Sequence, residues 1–439
     1  MRNSVLTLMT TLLCTSQFSL AANFEQMTTN KSDHQIIDVR PSEFFNGWPQ
    51  AGVTEGGHLP GSVNLSAHWL PLLSSEQFEQ QLDLKGLDSE KATYLYGDPE
   101  DQQLLKSRLE QSGFGNVITI DQPLKAYSGE LVALDNFKQL VSANWLFDLL
   151  EGRKVAYGPQ KGYKVVEVAW GPPTKHLVSH VPGAGYLNTN LIETEENKWN
   201  RVSDAELQSL LEGMGISQDT TVILYDRNNM AASRAANIFM YAGVKDVRLL
   251  DGGWKAWNLN HFPTEPLVNE AVEAVEFGVS VPAKPEYVID IPEAKALLAT
   301  PETSSLVSIR SWDEYTGKTS GYSYIEKAGR IKGARWGHAG SDAYHMEDFH
   351  NPDGTMLSAA LIEKNWEEWG IFKDQNVAFF CGTGWRASEA FFYAHVMGWE
   401  NISVFDGGWF EWSMDTANPV ASGVPESCDK ACVETVQAL

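Results

Sequence analysis

TVILYDRNNMAASRAANIFMYAGVKDVRLLDGGWKAW, residues 221–257, aligns without a gap on NVAFFCGTGWRASEAFFYAHVMGWENISVFDGGWFEW, residues 376–412. A third and weaker copy, ATYLYGDPEDQQLLKSRLEQSGFGNVITIDQ, occupies residues 92–122. In each copy a short apolar strand is followed by a loop, a helix with an apolar face, a glycine and a second apolar strand. This is the order of a β-α-β unit, so each copy predicts a parallel sheet.

Each copy is preceded by another shared feature, a buried strand followed by a glycine-containing turn. The repeating unit is therefore longer than the aligned stretch, and a chain of 439 residues has room for three such units. We expect an α/β protein of three tandem domains, each a parallel sheet flanked by helices. The predicted bounds are 23–135, 136–270 and 284–425, with a tail at 426–439.

The N-terminus has the three-part layout of a secretory signal peptide. Arg2 supplies a positive charge, Val5–Leu13 is a short apolar run, and small residues lead up to Ala22. The apolar run is too short to span a bilayer, which requires about 20 residues. We expect residues 1–22 to be removed on export to the periplasm; a cytosolic protein with an apolar N-terminal tail is the alternative.

The chain is strongly acidic. It contains 33 Lys and Arg residues against 57 Asp and Glu residues, a net charge of −24. This argues against nucleic acid or an anionic membrane as a partner. An anionic substrate meets a repulsive overall field, so any site for an anion has to be built locally.

The cysteine count leaves one thiol without a partner. Cys14 lies in the signal segment, and Cys428 and Cys432 lie close together in the tail. In an exported protein, the two tail cysteines are candidates for a local disulfide, with two free thiols as the alternative. Cys381 is then unpaired in an oxidising compartment, which points to a chemical role.

These motifs resemble those of the rhodanese family of sulfurtransferases. The resemblance covers nearly the whole chain after the signal segment and extends to the exported three-domain members found in bacteria. The residues that carry it are Asp38-Val-Arg40, Gly57–Ser62, His180–Ala184, Cys381–Arg386 and the Asp-Gly-Gly-Trp segments at 251–254 and 406–409.

The resemblance implies a sulfurtransferase that moves sulfur from thiosulfate to a thiophilic acceptor through a persulfide on Cys381, without a cofactor or metal. The chain departs from the family pattern in all three domains. Gly97 and Asp226 stand at the cysteine position of domains 1 and 2, which implies that these domains are catalytically silent. Domain 3 keeps the cysteine but has Ser308-Ile-Arg310 in place of Asp-x-Arg, and Gly329–Lys332 in place of Gly-His-Ile-Pro.

The loop around Cys381 suits a thiolate. The cysteine ends an apolar strand and precedes a helix, whose N-terminus carries a partial positive charge. Gly382 and Gly384, on either side of Thr383, allow the backbone to curl so that N–H groups point inward. We expect Arg386 to bind the donor anion and Trp385 to form a wall of the pocket.

Other candidate residues follow with weaker support. Arg335 and Trp336 are predicted to line the pocket mouth, with a salt bridge and core packing as alternatives. The segment SDAYHMEDFHNPDG at 341–354 contains two histidines and several acidic residues, but its spacing favours a solvated polar loop over a metal site.

Two other classes of function differ from a sulfurtransferase, one in the length of the cysteine loop and the other in turnover. Cysteine phosphatases and arsenate reductases use Cys-x5-Arg, whereas this loop is Cys-x4-Arg, which disfavours phosphoryl chemistry. A sulfur-carrier or binding protein with slow turnover remains an alternative, because two of the three loops have no cysteine. A single cation among neutral loop residues favours thiosulfate as donor and leaves 3-mercaptopyruvate open.

Overall fold

A computed structural model describes residues 21–29, 33–50, 55–227, 230–267 and 272–425. It contains three five-stranded parallel sheets with the same strand order, which confirms the predicted fold class. In each sheet the first strand along the chain lies at one edge, the fifth pairs with it, and the fourth, second and third follow. None of the helices in the described part of the chain combines the length and apolar character needed to cross a bilayer.

The first sheet has the order β1-β5-β4-β2-β3. Its strands are β1 Ala21–Ala22, β2 His34–Asp38, β3 Val63–Asn64, β4 Ala92–Tyr96 and β5 Val117–Ile120. Its helices are α1 Phe24–Thr29, α2 Ser42–Asn46, α3 Ser75–Leu84 and α4 Pro99–Gln111. Strand β1 pairs with β5, so the predicted removal of residues 1–22 would take an edge strand from this sheet.

The second sheet has the order β6-β10-β9-β7-β8. Its strands are β6 Leu140–Val141, β7 Tyr163–Ala169, β8 Gly185–Asn188, β9 Thr221–Tyr225 and β10 Asp246–Leu250. Its helices are α5 Ala143–Leu150, α6 Asp204–Gly213, α7 Met230–Ala242 and α8 Gly253–Leu259. Strand β9 and helix α7 form the start of the repeat in this domain.

The third sheet has the order β11-β16-β15-β12-β14, and β13 pairs with β17 in a separate antiparallel ribbon. The strands are β11 Val288–Ile289, β12 Ser304–Ser308, β13 Arg330–Ile331, β14 Arg335–Trp336, β15 Asn376–Phe380, β16 Ile402–Phe405 and β17 Val420–Ala421. The helices are α9 Ile291–Leu298, α10 Trp312–Tyr315, α11 Ala359–Glu367, α12 Trp385–Val396 and α13 Gly408–Met414.

Domains 2 and 3 share one apolar core. Helices α7 and α12, which are equivalent in the repeat, pack against one another across the domain boundary. Every residue of α7 is buried, because the helix is covered by its own sheet on one side and by domain 3 on the other. The start of α12, where the cysteine loop ends, is therefore held against domain 2. The exact domain bounds stay a prediction.

Candidate active site

Cys381 lies directly after β15 and three residues before Gly384, the N-cap of helix α12, which begins at Trp385. The thiol is 1% exposed, and the backbone N–H of Gly384 donates a hydrogen bond to its Sγ at 3.1 Å. Gly384 has φ +102°, a left-handed conformation that favours glycine. The loop thus turns an N–H group onto the sulfur immediately before a twelve-residue helix, whose N-terminus stabilises a negative charge.

The aromatic ring of Tyr322 covers the other glycine of the loop. A Cβ added to Gly382 would lie 2.5 Å from Cε2 of Tyr322, so no larger residue fits. Tyr324 stacks on Tyr322 with ring centroids 5.3 Å apart and hydrogen-bonds Thr383. Burial raises the pKa of Tyr324 to about 12, so its hydroxyl is neutral and can act as a donor. Both tyrosines lie within electrostatic reach of Cys381.

Arg386 is buried and forms a two-pronged ion pair with Glu314. Nη1 lies 2.8 Å from Oε2, and Nη2 lies 2.9 Å from Oε1. The sequence predicts that this guanidinium binds the donor anion with its planar fork. In the structure that fork is already occupied by a carboxylate, and direct two-pronged binding of the donor would require Glu314 to leave. The Arg386 Nε is buried without a hydrogen-bond partner among the described residues.

A second arginine completes a buried cluster. Nε of Arg310 lies 3.3 Å from Oε1 of Glu314, and its Nη1 donates to the carbonyl of Gly329 at 2.7 Å. Burial alone would raise the pKa of Glu314, but Arg386 and Arg310 outweigh it and lower the pKa to about 2. Burial lowers the pKa of Arg310 to about 10, which leaves it charged at neutral pH. Two cations and one anion give the cluster a net charge of about +1 beside the thiol.

Sequence reasoning missed Glu314. The signal that could have found it is the capping box of α10, in which Ser311 and Glu314 bond each other's backbone N–H groups. Such a box is normally exposed, but here Glu314 is fully buried, because its carboxylate also has to meet two arginines. The position that the family pattern reserves for aspartate is Ser308, so the carboxylate has moved from the strand to the following helix.

Domain 2 reaches the cysteine loop directly. The indole Nε1 of Trp385 donates to Oε1 of Glu193 at 2.5 Å, which places Trp385 at the boundary between the domains. Burial raises the pKa of Glu193 to about 7 despite the opposing effect of Arg234. Trp385 therefore anchors the first turn of α12 to domain 2, and its expected role as a wall of the pocket stays a prediction.

The structure does not bring Arg335 together with Cys381, which corrects the expectation that it lines the mouth. Its guanidinium donates to Ser305 Oγ at 2.6 Å and to the Pro301 carbonyl at 2.7 Å. These partners lie at or before the start of β12, whereas Cys381 follows the end of the neighbouring strand β15. The side chain therefore runs to the opposite end of the sheet from Cys381.

Trp336 packs rather than reaching the sulfur. Its ring stacks on His338 with centroids 3.8 Å apart, and its Nε1 donates to the Arg310 carbonyl at 2.7 Å. It therefore supports the strand end that carries Arg310. The polar segment at 341–354 separates into individual pairs, such as His350 with Glu389 at 2.8 Å. Within the described ranges no group of three or more His, Cys, Asp or Glu side chains is arranged to hold a metal.

The two cysteine-free loops differ from each other. Asp226 directs its carboxylate at the first turn of α7, where the Ala232 N–H donates to it at 2.6 Å. Gly97 has φ +137°, and a Cβ there would lie 2.7 Å from Cγ2 of Val39. Domain 2 thus fills its loop with an anion of its own, and domain 1 has no room for any side chain. Cys428 and Cys432 lie outside the described residues.

Comparison with known proteins gives one consistent result. A family model described as the rhodanese-like domain matches residues 20–130, 142–260 and 290–415. Thiosulfate sulfurtransferase YnjE of Escherichia coli is 50% identical over 390 residues, which cover 89% of each chain. Sulfur carrier protein TtuD of Thermus thermophilus is 31% identical over 305 residues, 65% of this chain and 96% of TtuD.

One solved structure extends the comparison to a different chemistry. The anaerobic ergothioneine biosynthesis enzyme from Chlorobium limicola, in complex with its natural substrate trimethyl histidine, superimposes with a TM-score of 0.88. It is 37% identical in sequence, and the match covers 93% of this chain and 100% of that one.

Proposed function

The chain belongs to the rhodanese family and is a sulfurtransferase, and we propose that Cys381 is the residue that carries the sulfur, with thiosulfate as donor. The observation that supports this most strongly is the surroundings of its Sγ. A backbone N–H donates to the sulfur, a helix begins four residues later, and a buried cluster of net charge about +1 lies beside it.

In the first half-reaction the Cys381 thiolate attacks the outer sulfur of thiosulfate. A sulfur–sulfur bond forms to the enzyme, and the bond to the sulfonate sulfur breaks. Sulfite leaves with the electron pair of that bond, and the enzyme retains a persulfide with a negatively charged terminal sulfur. The Gly384 N–H and the positive cluster stabilise this anion as they stabilise the thiolate.

In the second half-reaction a thiophilic acceptor attacks the terminal sulfur. Cyanide leaves as thiocyanate, a thiol becomes a persulfide, and Cys381 is released as a thiolate. Donor and acceptor visit the same loop in turn, so a single anion cradle serves both steps. Initial rates with thiosulfate and cyanide should therefore give parallel double-reciprocal lines, and intersecting lines would contradict a covalent intermediate on the path.

Two alternatives share the persulfide and differ in donor or turnover. 3-Mercaptopyruvate carries one carboxylate rather than a sulfonate, and a competition assay between the two donors ranks them directly. A sulfur carrier in the manner of TtuD would load one sulfur per chain and release it slowly. Multiple turnover with thiosulfate and cyanide separates this from an enzyme, because a carrier yields about one thiocyanate per chain in the time a rhodanese yields many.

A second candidate concerns the acceptor. The mouth of the loop is rich in aromatic rings: Tyr324 is 46% exposed and has Trp199, Tyr322 and Phe410 within 6.4 Å between centroids. Aromatic faces attract quaternary ammonium groups. We therefore propose, as a second candidate, an acceptor with such a group, for example trimethyl histidine, the substrate of the Chlorobium enzyme. Incubating the sulfur-loaded protein with trimethyl histidine tests it: ergothioneine formation supports this acceptor, and unchanged trimethyl histidine rejects it.

We also propose export to the periplasm, on the signal-like residues 1–22, and a Cys428–Cys432 disulfide in the exported protein. N-terminal sequencing of protein from the periplasmic fraction tests the first proposal. Thiol counting on the same material tests the second, because an intact disulfide leaves Cys381 as the one reactive thiol. A cytosolic, uncleaved chain would contradict both.

A further inference from the structure

Arg234 bridges domains 2 and 3 from the middle of their shared boundary. It lies on α7 and is fully buried. Its Nε is 2.9 Å from Oε2 of Glu193 in its own domain, and its Nη2 is 2.5 Å from Oδ1 of Asp406 in domain 3. Two carboxylates thus hold one guanidinium from two sides, which fixes both the position and the plane of the group.

The remaining terminal nitrogen of Arg234 faces the cysteine loop. Nη1 is buried and has no hydrogen-bond partner among the described residues. A Cβ added to Gly384 would lie 2.9 Å from this Nη1 and 3.1 Å from Cζ. The flat guanidinium therefore rests against the Cα of Gly384, the residue whose N–H donates to the Cys381 sulfur at 3.1 Å. The guanidinium of Arg234, the backbone of Gly384 and the sulfur of Cys381 are therefore in successive contact.

The same domain holds the next residue of the loop as well. The Trp385 indole donates to Glu193, and Glu193 in turn binds Arg234. Gly384 and Trp385 are thus both fixed from domain 2, one by packing and the other by a hydrogen bond. Glu193 and Asp406 together offset the charge of Arg234, so its effect on the sulfur is through shape rather than through an added positive charge.

We propose that Arg234 is a positioning residue for sulfur transfer, and that domain 2 completes the cysteine loop of domain 3 by holding the Gly384 N–H on the sulfur. The proposal rests on Cys381 being the sulfur carrier. It gives the cysteine-free second domain a role in the reaction, because a loop with two glycines has little stiffness of its own. An arginine that only joins two domains would affect how much protein folds, and not how fast each folded molecule reacts.

The test measures single-turnover sulfur loading by thiosulfate on the full chain, with rates expressed per active site from intact mass. Arg234→Lys keeps a cation for Glu193 and Asp406 but removes the plane that contacts Gly384. The rate at saturating thiosulfate should fall by about 10-fold, the scale expected when a reacting group is misplaced by a fraction of an ångström. The half-saturating concentration should stay within about twofold, because the donor does not touch Arg234.

Lys198→Met is the matched control. Lys198 pairs with Glu411 at 2.8 Å across the same domain boundary, on an exposed part of the surface. Its loss should leave the loading rate unchanged. Thermal unfolding of each variant identifies the conditions under which the chain is folded, so that rates are compared between folded molecules.

Gly384→Ala changes the other partner of the contact between Arg234 and Gly384. Alone it should slow loading by at least about 10-fold, because alanine is strained at this φ and its methyl meets the guanidinium. The lysine side chain in Arg234→Lys is slimmer at its end and relieves the clash with the added methyl. The double variant should therefore load sulfur no more slowly than Gly384→Ala alone. The positioning role is wrong if the double variant slows sulfur loading by the product of the two separate effects. It is also wrong if Arg234→Lys loads sulfur at the wild-type rate. A wild-type protein that fails to load sulfur would overturn the proposed function itself.

Discussion

The loops of domains 2 and 3 occupy equivalent places in two equivalent sheets, yet they hold different side chains. In domain 3 the Gly384 N–H donates to the sulfur of Cys381, whereas in domain 2 the Ala232 N–H donates to the carboxylate of Asp226. Both arrangements use the start of a long helix to stabilise negative charge. The side chain in domain 2 is a carboxylate, so the second loop is filled without a thiol that could carry sulfur.

The arginines beside the two loops differ in the net charge of the ion pairs that they form. In domain 2, Arg227 pairs with Glu167 at 2.7 Å and donates to the Ser179 carbonyl, which makes a neutral pair. In domain 3, Arg310 makes the equivalent bond to a backbone carbonyl but shares its one glutamate with Arg386. The fold places both loops at the start of a helix, whereas the net positive charge beside the loop in domain 3 comes from its extra arginine.

Arg386→Ala should produce the largest change among the charge variants. It removes one positive charge from the cluster of about +1, and the rate of sulfur loading should fall about 10- to 100-fold. Arg386→Lys should recover part of the loss, since it restores the charge without the planar fork that meets Glu314. Stopped-flow loading with thiosulfate measures this, and equal rates for all three proteins would remove Arg386 from the account.

Asp226→Cys tests whether a cysteine alone is sufficient in the second loop. We expect it to carry less than about one tenth of the sulfur found on Cys381, because the following Arg227-Asn-Asn-Met230 has no glycine to curl around a sulfur. The experiment is best done with Cys381→Ser as background, so that any added sulfur belongs to the new thiol. Efficient loading there would mean that domain 2 kept a working cradle.

Gly97→Ala tests the claim that the first loop has no space. The residue has φ +137° and a close neighbour in Val39, so the substitution should lower the free energy of unfolding by about 2 kcal/mol. Gly113→Ala is the matched control, with φ +92° and open space around the added methyl. It should cost about 1 kcal/mol, from backbone conformation alone. Equal losses in urea unfolding would show that the contact with Val39 contributes nothing.

The aspartates of the two Asp-Gly-Gly-Trp segments lie in different surroundings, and we expect a smaller effect from them, on the pH dependence of stability. Asp406 pairs with Arg234, whereas Asp251 accepts the Met356 N–H, and burial raises the pKa of Asp251 to about 7. Its folded state therefore prefers the protonated form. The stability that this provides is fully present below the unfolded pKa of about 3.9 and is lost as the pH rises through about 7.

Asp251→Asn should flatten that dependence. Between about pH 5 and pH 6.5 the group contributes a slope of about 1.4 kcal/mol per pH unit, and the variant should lack this contribution. Urea unfolding at several pH values measures the slope. Identical pH profiles for the two proteins would assign the titration to another group, such as Glu193, whose pKa burial also raises to about 7.

The sequence predicts the sheets and the cysteine loop because both depend on local patterns. Residues 377–380 of strand β15 form an apolar run, and the glycines that flank Thr383 favour a tight turn. The repeat also predicts that Asp226 and Cys381 are equivalent, since their two copies align without a gap, and the weaker first copy places Gly97 directly after the matching strand β4.

The charge cluster was not predicted, because its partners come from separate segments. Glu314 belongs to a capping box that normally faces solvent, and its meeting with Arg386 depends on how α10 packs against the loop. The location of the Arg335 guanidinium could not be predicted for a related reason. Its place in the sequence suggested the pocket mouth, but its long side chain runs to the opposite end of the sheet, toward the carbonyls of Pro301 and Gly370.

Sulfur should reside on Cys381 and on neither of the other two loops. Intact mass spectrometry of the purified protein, before and after thiosulfate and then after cyanide, tests it most directly. The wild type should gain the mass of one sulfur atom and lose it to cyanide, and Cys381→Ser should gain none. Cyanide-labile sulfur on Cys381→Ser at the stoichiometry of the wild type would contradict the account.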